Sequence, residues 1–221
     1  MIVVDDCSAD KSAEIVDAIA KKEPRIRLIR LDKNSGPAIA RNIAIKASYG
    51  RYIAFLDSDD LWLPQKLEKQ IDFIRRTDAG LVYSGYHMIE EESGERIGTV
   101  SIPARVDYRE LLKQNVIGCL TALYDTEKLG KVYMPEIMKR QDFALWLKIL
   151  KQIPYAYGLN EPLACYRVRN ASVSSNKILS SLYNWKLYRD IEKLPLHRAL
   201  YYFGWYTYRS FLKYKIIKER G

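Results

Sequence analysis

An α/β fold is what this sequence predicts, and three observations predict it. Two apolar runs, Ile2-Val3-Val4 and Tyr52-Ile53-Ala54-Phe55-Leu56, are short enough to be buried strands, and both stop abruptly at carboxylates. Between them, Arg25 to Leu31 interleaves Ile26, Leu28 and Leu31 with Arg25, Arg27 and Arg30, the pattern of a strand nearer a sheet edge. Helical spacing fills both gaps, so strand, helix, strand, helix, strand pass within about sixty residues, the order of a parallel sheet.

The elements follow in sequence. Asp5-Asp6-Cys7-Ser8 closes the first strand in an Asx/Ser turn. Ile15, Val16 and Ile19 share one face of a helix from Ser8 to Lys22, with Ser8 or Asp10 as cap. Asn34-Ser35-Gly36-Pro37 is a turn that leads into a second helix, Ala38 to Ser48. Pro64 opens a third helix, whose apolar side is Leu67, Ile71 and Ile74. Gly80 to Tyr86 reads as a strand, Glu90 to Glu95 as a hairpin turn into Ile97–Ile102, Tyr108 to Gln114 as a short helix and Cys119 to Tyr124 as another strand. Gln141 to Leu150 is a helix with Leu145, Trp146 and Ile149 on one side, and Leu179 to Ile217 reads as two aromatic-rich helices broken at Pro195.

Composition narrows the class. A hydrophobic fraction of 48% in 221 residues supports one good-sized core and argues against disorder. No uncharged apolar run reaches the length of a membrane-spanning helix, and no secretory leader pattern opens the chain. Cys7, Cys119 and Cys165 have neither zinc spacing nor a disulfide framework, which favours a reducing cytoplasm. His87 and His197 lie too far apart in sequence to suggest a histidine metal site. The net charge is +9, and from Leu179 onward nine Lys and Arg face three acidic residues, so about +6 of it sits in the tail. An anionic partner is therefore expected for the tail, not for the whole surface.

The chemistry concentrates after the Tyr52 strand, where Asp57, Asp59 and Asp60 fall within four positions. Like charges that close resist burial unless a cation sits among them. Hard carboxylate oxygens suit Mg²⁺ or Mn²⁺ carrying a phosphorylated ligand. The competing reading is a solvated turn that caps the next helix. Ligands of open α/β sheets bind beyond the carboxyl ends of the strands, where both Asp5/Asp6 and the Asp57–Asp60 cluster fall. Arg41 and Asn42 follow the Gly36 turn, and a guanidinium there can pair with a diphosphate or with the acidic cluster. An ordinary surface ion pair is the alternative.

Four segments in order carry a resemblance: Ile-Val-Val-Asp-Asp-x-Ser from Ile2, Asn-x-Gly-x-x-x-Ala-Arg-Asn from Asn34, Phe-Leu-Asp-Ser-Asp-Asp from Phe55, and Gln-Asp-Phe-x-Leu-Trp-Leu from Gln141. Together they resemble family-2 glycosyltransferases, over roughly residues 2–174. The resemblance implies a GT-A fold with a mixed sheet, and inverting transfer from a nucleotide-diphospho sugar. A UDP-sugar is the expected donor, and a glycan or lipid-linked sugar the expected acceptor, in cell-surface polysaccharide biosynthesis. It further implies that Asp6, or Asp5, accepts a hydrogen bond from the nucleobase. Asp57, Asp59 and Asp60 would divide ribose contact from metal ligation, with Asp59 and Asp60 on the metal. Asp142 would be the base that takes the acceptor hydroxyl's proton, a role compatible with capping its helix.

Family members usually carry Glu-Asp where this chain has Gln141-Asp142. The aspartate is kept and a neighbouring charge is gone, so Asp142 is expected to have less cause for a raised pKa. Trp146 could floor an acceptor site by stacking on sugar, against the plainer reading of a core tryptophan. Tyr166-Arg167-x-Arg169-x-x-Ser172-x-Ser174 resembles the family's Tyr-Arg-x-His-x-x-Ser segment, with Arg169 able to hold phosphate but not metal.

The tail interleaves Tyr201, Tyr202, Phe203, Trp205, Tyr206, Tyr208, Phe211 and Tyr214 with Arg198, Arg209, Lys213, Lys215 and Lys218. Such a mixture suits lipid headgroups. The expected organisation is a glycosyltransferase domain over residues 1–178 and a basic aromatic tail over 179–221, peripheral on the inner face of the cell membrane. Base stacking could use the same residues, but the aspartate cluster argues against nucleic acid.

The family's first strand and helix have no counterpart here. Their absence should leave the Ile2 and Tyr52 strands with unpaired inner edges. The expectation is an N-terminally incomplete GT-A fold, with an open reading frame extending about 30–40 residues upstream, one β-α unit. An inactive remnant that binds a membrane or partner is the alternative function.

Overall fold

The computed structural model describes residues 1–168 and 177–218. In chain order its strands are β1 (Ile2–Asp5), β2 (Arg27–Arg30), β3 (Tyr52–Ala54), β4 (Leu61–Trp62), β5 (Leu81–Glu90), β6 (Arg96–Val100), β7 (Arg105–Val106), β8 (Leu123–Asp125) and β9 (Ala156–Val168). Its α-helices are α1 (Ser12–Ala20), α2 (Pro37–Ala47), α3 (Lys66–Thr77), α4 (Tyr108–Lys113), α5 (Thr126–Leu129), α6 (Gln141–Leu150), α7 (Lys177–Lys186) and α8 (Leu196–Lys218). A 3-10 turn at Cys119–Thr121 and a π turn at Leu187–Ile191 complete it.

The parallel sheet that the first sixty residues suggest is a mixed one. β1 and β2 pair in parallel as a two-stranded sheet of their own. The main sheet runs β3-β8-β5-β9-β4, with β6 on β5 and β7 on β9. Only β5–β9 is parallel within it; β5–β6 is a hairpin, and the other antiparallel pairs join strands distant in the chain. Among the described residues β1 pairs only with β2 and β3 only with β8, so each keeps one open edge.

The first helix begins at Ser12, four residues later than the capping pattern suggests, because Asp5 and Asp10 bind the amides of Ser8 and Ser12 and hold the segment as turns. Cys119 to Thr121 is a 3-10 turn, and the strand expected there begins only at Leu123. The longest strand, β9, does not read as one, since Gly158, Asn160 and Pro162 are turn formers. The ladder to β5 accommodates them by shifting register on both sides of the Gly85–Pro162 pair.

The sheet buries apolar side chains on both faces. Leu81, Tyr83 and Tyr124 join Phe55, Leu111 and α6 in the main core, while Val82 and Leu123 turn the other way against Ile74 of α3. α6 is central, with Phe143, Leu145, Trp146, Leu147 and Ile149 each at most 1% exposed.

The C-terminal segment closes onto this core. Glu192 is paired with Lys151, Nζ to Oε2 at 2.7 Å, and accepts a hydrogen bond from the Tyr108 hydroxyl. Tyr188 Oη donates to Leu112 O at 2.6 Å. Asn184 of α7 is fully buried, and among the described residues neither end of its amide has a hydrogen-bond partner. The other face of α8 is open: Leu196, Leu200, Tyr201 and Tyr208 are each more than half exposed. Among the described residues no helix is long and apolar enough to cross a membrane.

Candidate active site

The site is assembled where β3 ends. Phe55 plunges into the core against Tyr124 and Trp146, which fixes the chain just before Asp57. The loop 57–60 then turns into β4, with Asp60 N bonded to Asp57 O at 3.1 Å. Arg167, at the end of β9, clamps this loop: its backbone N–H reaches Asp60 Oδ1 at 3.0 Å, and its Nε reaches Asp59 O at 2.8 Å. Asp60 is only 6% exposed. Burial, with Asp59 and Asp57 adding to it, pushes its carboxyl up to about 6 against the pull of the Arg167 amide.

α2 delivers the cation. Gly36 has φ 87°, which favours glycine, and its N–H and that of Ser35 each donate to the Asp6 carboxylate at 2.7 Å. Asp6 therefore braces the turn that starts α2, with both carboxylate oxygens engaged. Asp5 accepts from Ser8 N through one oxygen. One helical turn on, Arg41 donates to Asp57 Oδ1. Burial opposes the Arg41 charge, but the carboxylates of Asp57 and Asp142 offset it and the guanidinium is held protonated. Asn42 points elsewhere. Its amide makes two 2.8 Å bonds to the Met134 backbone, so it ties α2 to the loop before α6. The amide expected to meet the donor is thus engaged at both ends by backbone.

Asp142 lies in the first turn of α6, within the electrostatic reach of Arg41, Asp57 and Arg140. Its pKa is raised, first by burial and then by Asp57, against the Phe143 amide and the two arginines. The missing neighbouring glutamate thus does not leave Asp142 with an ordinary acidity, because burial replaces the lost repulsion. Trp146, four residues on, is 0% exposed and meets Phe55 edge-on with centroids 6.0 Å apart. Its ring has no free face for a sugar, so it is a core residue beneath the site.

Arg41, Asp57, Asp60 and Asp142 are therefore brought together, with Asp59 on the same loop and Asp5 and Asp6 at the parallel strand end. Arg169, Ser172 and Ser174 lie outside the described residues. Cys119 was not singled out by any motif, yet its thiol sits among Arg41, Asp57, Asp142 and Asp60, and burial raises its pKa well above the usual value. Its turn is anchored from behind: Trp62 Nε1 donates to Leu120 O and Gln70 Nε2 to Thr121 O, both at 2.8 Å. Lys66 Nζ in turn donates to Gln70 Oε1 at 2.5 Å and lies 4.3 Å from the centroid of the Trp62 ring.

Among the described residues no three carboxylate, histidine or cysteine side chains converge in a metal-holding group. The donor chemistry still fits Mg²⁺ or Mn²⁺, since Asp60 is a buried carboxyl repelled by two others, a site that a cation relieves. A cation of this kind takes one or two carboxylates from protein and the rest from water and phosphate.

The family model of Glycosyl transferase family 2 matches residues 1–125. TuaG of Bacillus subtilis, named as a candidate glycosyltransferase of teichuronic acid biosynthesis, is 42% identical over 94% of this chain and 82% of its own. WfgD of Escherichia coli, named as a UDP-Glc:α-D-GlcNAc-diphosphoundecaprenol β-1,3-glucosyltransferase, is 36% identical over 91% of this chain and 78% of its own. Among solved structures, TarS 1–349 of S. aureus in complex with UDP-GlcNAc superposes with a TM-score of 0.67 at 19% identity, over 95% of this chain and 63% of that one. A mannosyltransferase from Pyrobaculum calidifontis, in complex with GDP-Man and Mn²⁺, gives 0.64 at 19% identity, over 86% of this chain and 55% of that one. The chain belongs to glycosyltransferase family 2, and its fold is that of the GT-A transferases.

Proposed function

We propose that this chain transfers a sugar, with inversion and with the help of a divalent metal, from a nucleotide-diphospho sugar to a hydroxyl of a glycan or lipid-linked acceptor in surface-polysaccharide assembly. The observation that carries this is the meeting of one guanidinium, Arg41, with carboxylates from two places in the chain: Asp57 in the loop after β3 and Asp142 on α6. A UDP-sugar is the proposed donor, since UDP-Glc stands in the name of WfgD and UDP-GlcNAc in the TarS complex. The lipid-linked acceptor follows from the diphosphoundecaprenol in the first of those names.

In this reading Asp5, or Asp6 through its remaining lone pairs, accepts the nucleobase N–H. Asp57 meets the ribose, releasing part of its bond to Arg41, whose guanidinium then faces the diphosphate. Asp59 and Asp60 hold Mg²⁺ or Mn²⁺, which when bound neutralises charge on the departing diphosphate. Arg167 keeps their loop in place from behind. Asp142 takes the proton of the attacking hydroxyl, and its raised pKa makes it a stronger base than an exposed carboxylate. Residues 1–178 form the catalytic unit. The tail from residue 179 lies on the inner face of the cell membrane through the open side of α8.

Replacing Asp142 with asparagine keeps the shape and removes the base. Sugar transfer, followed by nucleotide release with a UDP-sugar and Mn²⁺, should drop by 10²-fold or more, while calorimetric donor affinity stays near that of the parent. Substantial turnover in Asp142→Asn would remove Asp142 from this role.

A further inference from the structure

Arg140 immediately precedes α6, and its backbone is left-handed, with φ 67° and ψ 19°. That conformation is unfavourable for an L-residue and persists only where the surroundings hold it. The hold comes from the C-terminal helix. Arg140 Nη2 donates to the Tyr206 hydroxyl at 2.8 Å, and the guanidinium lies 5.7 Å from the centroid of the same ring. One residue earlier, Lys139 lies 5.2 Å from the centroid of Tyr183 on α7. Two consecutive cations thus fasten the start of α6 to rings of the two C-terminal helices. The Arg140 carbonyl accepts from Ala144 N at 2.9 Å and so closes the turn that carries Asp142. Movement of the Arg140 backbone moves that turn.

We propose that Tyr206 is a positioning residue for the transfer reaction: by clamping Arg140 it aims the first turn of α6, and Asp142 with it, at the acceptor hydroxyl. The proposal rests on the reading of Asp142 as base. The groups that face Asp142 are Arg41 from α2, Asp57 from the loop after β3, Cys119 from the 3-10 turn, and Arg140 beside it. Arg140 is one of the two cations that favour the ionised carboxylate. Once released from Tyr206 its guanidinium moves to solvent, and Asp142 loses part of that support.

In the full chain, Tyr206→Phe keeps the ring and removes the hydroxyl. With nucleotide release followed across pH at saturating donor, kcat falls about tenfold, as for one lost hydrogen bond to a charged group. The acidic limb of the kcat profile moves to higher pH, and the donor KM is unchanged. Arg140→Gly accepts the positive φ without strain but loses the clamp, so it gives the same fall, and the double variant is no slower than either single one. An unaltered kcat and limb in Tyr206→Phe overturns the proposal, as do losses that multiply in the double variant. If Tyr206→Phe does not fold, Arg140→Gly decides alone, and an unaltered profile there overturns it too. Asp142→Asn assayed alongside separates the two readings. Turnover retained in that variant overturns the base, whereas an inert Asp142→Asn beside an unaltered Tyr206→Phe overturns only the clamp.

Discussion

Lys66 is the least expected residue of the molecule. It is 0% exposed and rests on the Trp62 face and the Gln70 amide, and burial pushes its pKa down to about 7. A lysine in the unfolded chain titrates near 10.4. Between those values the unfolded chain binds more protons than the folded one, so stability rises with pH across that window. Below about pH 7 both states carry the proton and the burial penalty is present in full. Urea midpoints measured from about pH 7 to 10 should therefore climb, with a slope from this residue of at most about 1.4 kcal/mol per pH unit. Lys66→Met should flatten that climb; an unchanged slope would show that Lys66 does not titrate there. The sequence made the acidic cluster, Arg41 and Asp142 legible because each residue type has few reasons to stand where it does. It could not show Lys66, Cys119 or the Arg140–Tyr206 contact, since each depends on a partner 60 or so residues away or on burial, neither of which leaves a spacing.

At the level of elements, β1, α2, β3, α3 and α6 follow from apolar period and turn residues; β1, α2 and α6 carry Asp5, Arg41 and Asp142, and the aspartate loop follows β3. β9 does not follow, because its glycine and proline are there for the neighbours. A Cβ on Gly158 would stand 2.2 Å from the Pro103 carbonyl oxygen, where β7 and its approach cross the strand. Backbone cannot yield as a side-chain tip does, so Gly158→Ala should cost about 3 kcal/mol, read as a lower denaturant midpoint. A loss under about 0.5 kcal/mol would mean that the crossing is looser than this. Since β9 carries Arg167 near its end, the same variant should also loosen the loop of Asp59 and Asp60.

For the whole molecule, the tail is joined to the body through Glu192, Lys151 and Tyr108 on one side while α8 presents Leu196, Leu200, Tyr201 and Tyr208 outward. Exposed Lys193 and Arg198 flank Leu196 in the chain. Apolar and aromatic side chains beside cations fit an anionic bilayer surface. Flotation with vesicles containing phosphatidylglycerol should carry the chain upward, and raised salt should release it. Leu196→Asp with Leu200→Asp, both at exposed positions, should weaken that binding at least tenfold without lowering the melting temperature. Equal flotation of this variant would assign the contact elsewhere. The composition of the tail suggests an anionic partner, but which side of α8 faces out is decided by its packing on α4, α7 and the π turn.

The buried Asn184 amide, unpartnered among the described residues, has a consequence for how this protein could be made hardier. A polar group dried without a partner costs about 1–3 kcal/mol, and an isosteric apolar side chain does not incur it. Asn184→Leu should therefore raise the melting temperature by a few degrees, a gain that calorimetry would detect. The joint between tail and body is thus held below its attainable strength, and an engineer seeking a heat-tolerant transferase would begin at that single position.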